Sequence, residues 1–565
     1  MTVEKIISST KKRSFTDILG NNDNLPTLKP LREYGIGEPG SRDPGFVYLP
    51  FKGDAGKNEK WDNLAKNMPQ LLKKRGAFAD ALNSKDLPEF VFEEERYSKR
   101  KDGKFDTEDS NLRADLQMLT AIASGYVNYT DHETGKSAEL RKKLGIQSNA
   151  AVVPEKLAKP LKQLADMAQV PPMLNYAHYA IDNRKGEIPY TKDGEVDVDK
   201  VLTQNGQYEW ERVRYERVDS NKPALKRVPV GKFGNRENSE NPKDITAPRT
   251  PKETEIFIKA KDTGSPDGQY VKSKLGEDRD IIGKVGKISD IGELKFRYPF
   301  VGPNAKGEDD ELGFVQVHTV IEAIAAKALY QMPKIIDAAK NDDAKGVQEG
   351  LQTVASTYRK MVEIFHLSPA YSRTSEYEKD EGGLRPYIKG FDGKTRPDGV
   401  IYEGQYNNEP QYFRGESGAM SSVIPALDEL LGYKPPTKFY EGYREYMPAK
   451  HREFLSDLGE ATKDLDLRKL GGDAFKQAVI AGADFRLAHA DNAVEYIQNP
   501  NGDAIGTGGS IFAIYLRKNA EHMRQFAEAP QEAQKANIPP QQQSHTASLN
   551  TRRQQQAEAG CCTIL

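Results

Sequence analysis

Apolar residues recur at spacings of three and four through two long blocks of this chain, separated by residues 185 to 298, where that period is absent. The first block runs from Trp61 to about Arg184 and contains WDNLAKNMPQLLKKR, NLRADLQMLTAIASGYVNY and PEKLAKPLKQLADMAQV. The second runs from Gly313 to about Phe526, interrupted by a Gly- and Tyr-rich stretch from Ser368 to Gly415. Each block reads as amphipathic helices that must bury one face against others. A two-part helical body follows. Between the blocks, YEWERVRYERV and ETEIFIKAKD alternate like strands among Gly, Pro and Asn breakers, which predicts an insertion with some β structure. The chain therefore divides into an extended arm (1–55), a small helical domain (56–184), the insertion (185–298), a large helical domain (299–526) and a flexible tail (527–565) too poor in apolar groups to offset its ordering entropy.

Composition removes several chemistries. Only two cysteines occur, Cys561 and Cys562, so the body holds no disulfide, thiolate zinc site or cysteine-ligated haem. Lys plus Arg (82) and Asp plus Glu (84) nearly cancel, which predicts no nucleic-acid partner held by an overall field. The N-terminal MTVEKIISSTKKRSF lacks the apolar stretch of a signal peptide, and no run of about 18 apolar residues reads as a membrane span. These features predict a cytoplasmic protein with a soluble body.

One histidine stands out. In DAFKQAVIAGADFRLAHADNAVEYI, Phe485, His489 and Ala493 fall on one helix face, which turns His489 inward. On periodicity alone such an imidazole is more often a hydrogen-bonded core residue than a ligand. The surrounding motifs change that balance. FRLAHADNAVEYI followed by GTGGS (506 to 510) resembles the proximal helix and Gly-Thr loop of indoleamine 2,3-dioxygenases. Six further segments recur in the family's order: VPPMLNYA (170 to 177), GFVQVHTVIEAIA (313 to 325), LRPYIKGF (384 to 391), GVIYEG (399 to 404), FRGESGAMSSVIPALDELLG (413 to 432) and YMPAKHREFL (446 to 455). The matches lie in the two helical blocks and leave out the arm, the insertion and the tail.

The resemblance implies an all-α fold, a small helical domain over a large helical one with haem b between them, and His489 as the iron ligand. It implies that Arg486 and Asp428 pair beside the cofactor, and that Ser417 and Gly418 of FRGESG run along it. It further implies that Arg385 forks the carboxylate of an amino-acid substrate through parallel charge-assisted hydrogen bonds, and that Thr507 closes the pocket over its amine. GTGGS lacks the Lys and the strand-to-helix setting of a phosphate loop, so it does not read as a nucleotide cradle. Tyr176, Tyr179 and Ala180 match pocket-lining positions.

Two positions depart from the family. Phe314 keeps its place above the haem, but His318, one turn on, stands where a small serine is usual. A distal imidazole resembles the related tryptophan dioxygenases and would act as hydrogen-bond acceptor or base. The aromatic wall expected before Arg385 is replaced by Asp380 and Glu381, so either Tyr377 or Tyr371 supplies the ring or the pocket takes something more polar or cationic than tryptophan. The implied activity is insertion of O2 across the indole 2,3-bond of tryptophan or a related indole, giving N-formylkynurenine-type product. Haem monooxygenation of a different, more polar indole or aromatic amine, or a membrane-tethered haem-binding or interaction protein, are the alternatives. The final Cys562-Thr563-Ile564-Leu565 fits a prenylation box favouring geranylgeranyl, and Cys561 beside it could carry a second lipid, predicting anchoring to a cytosolic membrane face.

Overall fold

The computed structural model describes residues 28–48, 56–128, 136–185, 187–192, 194–196, 209–217, 225–233, 256–261, 270–272, 295–303, 309–366, 368, 372, 377, 383–391, 396–436, 441–498, 506–507 and 512–529. Most are helical. The first block gives α1 (Glu59–Lys66), α2 (Met68–Leu71), α3 (Ala77–Asn83), α4 (Ser110–Asn128), α5 (Lys136–Leu144) and α6 (Glu155–Ala168), followed by a π-helical turn at Ala177–Ile181. The second gives α7 (Asp310–Leu329), α8 (Met332–Lys340), α9 (Ala344–His366), α10 (Arg385–Ile388), α11 (Val423–Leu431), α12 (Glu441–Arg444), α13 (Ala449–Thr462), α14 (Leu467–Gly471), α15 (Asp473–Ala493) and α16 (Phe512–Glu528).

Strand structure is peripheral to this body. β1 (Ala151–Val153) pairs in parallel with β8 (Val400–Tyr402), tying the first helical block to the second. β2 (Arg184–Lys185) pairs antiparallel with β7 (Lys295–Phe296), so the chain leaves the helical body and returns to it at adjacent points. Within the insertion, β3 (Glu209–Arg217), β4 (Leu225–Phe233), β5 (Ile256–Lys261) and β6 (Tyr270–Lys272) form an antiparallel sheet in the order β4-β3-β5-β6. The two alternating segments of the sequence are β3 and β5.

Two hydrophobic cores organise the helices. One gathers the buried faces of α7, α9, α11, α13 and α15, among them Val317, Leu351, Tyr358, Leu427, Phe454 and Phe485. The other gathers Trp61, Leu116 and Leu161 of the first block with Tyr387, Tyr496 and Leu516 of the second. α9 packs along both α15 and α7. The start of α7 is fixed by its cap: the Asp309 carboxylate accepts the Leu312 amide at 2.9 Å. Glu311 in its first turn accepts the amides of Phe300, Val301 and Gly302 at 2.7 to 3.1 Å, pinning the segment that re-enters after the insertion.

The structure corrects the reading of apolar runs. Asp310–Lys340, spanning α7 and α8, is long and apolar enough to cross a membrane by length and composition, yet 72% of its apolar window is buried inside the fold. Its apolarity serves packing on several sides at once. The described part of the N-terminal arm is also more than a surface strap. Tyr34 and Phe46 are fully buried, Tyr34 donates to Asp457 at 2.6 Å, and the Tyr48 hydroxyl meets His451 Nε2 at 2.8 Å. Aromatic side chains carried by loops leave no periodic trace, so sequence patterning misses them.

His451 is fully buried, with the hydroxyls of Tyr48 and Ser422 at its two ring nitrogens. Burial, reinforced by Arg113 and Arg452, pushes its pKa down to about 3. An unfolded histidine titrates near 6.5, so between about 6.5 and 3 the unfolded chain binds a proton that the folded chain refuses. Stability from this group is therefore complete above 6.5 and is lost as the pH falls. His451→Gln should cost about 1–2 kcal/mol at pH 7 and make the decline between pH 6.5 and 4 shallower than in the wild type. Urea midpoints measured across that range check this, and parallel declines would contradict it.

Candidate functional site

α15 carries His489. The helix is rich in Ala and Gly, and a Cβ at Gly482 would lie 2.7 Å from Met523 Cε, so α16 approaches it closely. On the α15 side, Arg486 is anchored by the Asp428 carboxylate of α11, its Nη2 reaching Oδ1 at 2.6 Å and Oδ2 at 2.5 Å. Burial pushes the Asp428 pKa up to about 6 against the pull of the guanidinium. The pairing expected from sequence is present, and it holds the helix turn on which His489 sits.

His489 opens onto a cavity with about 870 Å³ of empty space, and a second with about 630 Å³ adjoins it; the two overlap and share six lining residues, His489 and His318 among them. The walls come from both cores: Phe365 and Phe485 belong to the first, Tyr377, Tyr496 and Leu516 to the second. The His489 imidazole is only partly covered because it faces this internal space, although it lies deep in the body. Burial, with His318 and Arg486 adding to it, pushes its pKa down to about 4, so it is neutral at physiological pH. It has an edge contact with Phe365 at 5.5 Å and no hydrogen-bond partner among the described residues. A Cβ at Gly418 would lie 3.8 Å from His489 Nε2, so glycine keeps that side of the ring clear.

His318 lies on α7, also facing the cavity. Its Nδ1 donates to the Phe314 carbonyl at 2.7 Å, because a carbonyl can only accept. Nε2 therefore carries the lone pair, and burial keeps the ring neutral. Phe314 packs on Tyr377 at 5.3 Å and on His318 at 4.5 Å. Tyr377 thus supplies an aromatic wall, whereas Tyr371, Asp380 and Glu381 lie outside the described residues, as do Cys561 and Cys562.

The remaining wall is set by a close crossing of three loops. Glu416 N–H donates to Ile388 O at 3.0 Å, Gly390 N–H to Thr507 O at 3.2 Å, and the Thr507 hydroxyl to Glu416 O at 2.6 Å. A Cβ on Gly390 would stand 2.2 Å from Gly415 N, and one on Gly415 would stand 2.2 Å from Gly390 N, so neither position accepts a side chain. The crossing brings Glu416, Ser417, Gly418 and Thr507 into the cavity wall.

Several expected residues lie elsewhere. Tyr176 lines the adjoining cavity. Tyr179 is buried behind it, donating to Glu311 at 3.1 Å, and Ala180 accepts the Thr319 hydroxyl at 2.7 Å. Arg385 is buried at the start of α10 and lines neither cavity; that short helix is oriented by Tyr387, whose ring stacks on Phe300 and whose carbonyl accepts Ser124. Sequence reasoning passed over Asn492 and Tyr496, three and seven residues after His489 and on its face, which the helical stripe could have found had it been extended. It also passed over Glu416 and Glu322. Glu322 lines the adjoining cavity, accepts the Ser421 hydroxyl at 2.6 Å, and is pushed by burial up to about 7.

The family model for indoleamine 2,3-dioxygenase matches residues 290–543. Indoleamine 2,3-dioxygenase 1 of Rattus norvegicus is 29% identical over 37% of this chain and 58% of its own length. An indoleamine 2,3-dioxygenase of Aspergillus candidus is 32% identical over the same shares. A myoglobin of Haliotis madaka is 29% identical over 33% of this chain and 50% of its own length. The chain thus spans 50 to 58% of the length of these relatives.

Asp428→Ala would leave the Arg486 cation buried without its counter-ion, and should cost about 3–5 kcal/mol of unfolding free energy. Replacing both residues, Asp428→Leu with Arg486→Met, should recover most of it. Urea denaturation of the three variants checks this; a single-variant loss under about 1 kcal/mol would mean that the pair is not what holds α15.

Proposed function

We propose that the chain is a member of the indoleamine 2,3-dioxygenase family, whose model matches residues 290–543, and that it binds haem through His489 and oxidises an indole at its 2,3-bond. One observation carries the reading. Two neutral imidazoles from different helices, His489 and His318, face one cavity between the two hydrophobic cores, and His489 has no hydrogen-bond partner among the described residues. A neutral imidazole with a free lone pair is what an iron porphyrin requires on its proximal side.

The residues present suit that group. Phe365, Phe485 and Leu516 give apolar surface for a macrocycle, Gly418 leaves room beside the His489 ring, and Arg486 lies one turn before the ligand as a fixed positive charge. Haem held by His489 would supply the redox-active iron needed for O2 chemistry at the electron-rich indole bond. The protein's own part is positioning. His318 Nε2 is an acceptor suited to an indole N–H, and its pairing with the Phe314 carbonyl fixes both the tautomer and the ring plane. Phe314, Tyr377 and Tyr496 form the aromatic wall that holds an indole face and excludes water. Thr507 spends its proton on Glu416 O, so its oxygen is left to accept from a substrate amine. Arg385 does not reach this wall, so recognition of a substrate carboxylate is assigned to it by resemblance alone.

The second reading is oxygenation of a more polar substrate with transfer of a single oxygen atom, and the buried Glu416 carboxyl in the wall favours it. Isotope labelling separates the two. Purified protein with reductant, tryptophan and 18O2 should give N-formylkynurenine carrying label at both new oxygens. Label at one position only, in a hydroxylated indole, would support the second reading. A Soret band with no oxidised product from any indole amine would remove the enzymatic readings and leave a haem-binding protein.

A further inference from the structure

Glu416 is 3% exposed and lines the cavity faced by His318, Tyr377 and Thr507. Its backbone is tied at both ends of the peptide, through Ile388 O and the Thr507 hydroxyl, and the loop crosses in close backbone contact at Gly390 and Gly415. Its carboxyl is treated differently from other buried carboxyls around the site. Glu322 has the Ser421 hydroxyl, Asp428 has Arg486, and Glu311 has three backbone amides. The Glu416 carboxyl has no hydrogen-bond or ion-pair partner among the described residues, and none of the residues lining its cavity is Lys or Arg.

A carboxyl placed in such surroundings costs free energy whether it is charged or neutral and unpaired. Burial pushes its pKa up to about 8, because its surroundings solvate the anion poorly. A cation entering the cavity would change this, because a desolvated ammonium–carboxylate pair is among the stronger hydrogen bonds available to a protein. The Thr507 oxygen stands on the same loop crossing as a second acceptor.

We propose that Glu416 is the ammonium-binding residue of this cavity, so that the site selects aromatic ligands carrying a free, cationic amine over analogues that lack one. The inference deepens the dioxygenase reading by stating a requirement on the substrate, and rests on it only for the indole part of the ligand. The amine is placed against Glu416 and Thr507, while the ring lies along Phe314 and Tyr377. A substrate that is neutral, or carries only a carboxylate, would leave the Glu416 carboxyl buried and unpaired, and the site would reject it for that reason.

Calorimetric titration of the full chain tests this with ligands that share one ring system: tryptamine, N-acetyltryptamine and indole-3-propionate. Tryptamine should bind the wild-type protein at least about tenfold more tightly than N-acetyltryptamine, as expected for a hydrogen bond to a charged group. Glu416→Gln should remove that preference and bind indole-3-propionate at least as tightly as the wild type does, and Glu416→Asp should retain part of the preference. Equal binding of tryptamine and its acetyl derivative by the wild type, no measurable tryptamine binding, or equal losses for all ligands in Glu416→Gln would each overturn the proposal. The wild-type comparison stands even if both variants fail to fold. The Soret band of the same samples reports separately on haem: its absence, with the amine preference intact, would sink the dioxygenase reading and leave the Glu416 assignment standing.

Discussion

The buried ion pair between Arg486 and Asp428 fixes α15, and the arrangement of the cavity follows from where that helix lies. α15 presents Ala and Gly where it meets α16, and Phe485 where it meets the first core. α15 packs along α9, and the guanidinium clamped on α11 ties down the turn that precedes His489. Burying two charges is expensive, and it repays the cost only with good geometry and further hydrogen bonds. Arg486 has those in the Gly482 carbonyl and the carboxylate. One turn later His489 is delivered to the cavity.

The cavity gathers several polar groups in one wall. Elsewhere in the body, two buried polar side chains are well supplied with partners: His451 has two hydroxyls, and Glu311 has three amides and a tyrosine. In the cavity wall, His489 and the Glu416 carboxyl have none among the described residues, and His318 uses one nitrogen only. Leaving such groups unpaired lowers the stability of the fold, and a ligand that supplies a metal, a donor and a cation recovers it. The two hydrophobic cores meet at this point, and their packing shapes the apolar walls.

The parts of this arrangement that were legible in the sequence are those that share a helix. Phe314 with His318, and Phe485 with Arg486 and His489, sit at spacings that a helix turns into one site, and the motifs around them resemble one family in order. The helical blocks and the alternating strands of the insertion were legible for the same reason of period. Groups contributed by loops were not. Glu416 enters the wall only because Gly390 and Gly415 let two loops cross, and Tyr377 reaches Phe314 from a stretch without helical pattern. Arg385 shows the reverse: its motif is clear, yet it is buried at the start of α10 and lines neither cavity. The buried aromatics of the N-terminal segment were hidden because tertiary packing, not local period, puts Tyr34 and Phe46 inside.

The central claim is that the His489 lone pair is kept for iron. Haem stoichiometry of His489→Gly, measured as bound porphyrin per chain with and without added imidazole, tests it most directly. The account predicts that the variant folds but loses haem, and that free imidazole entering the vacated space restores both the cofactor and the Soret band. Full haem content in His489→Gly without imidazole would contradict the claim.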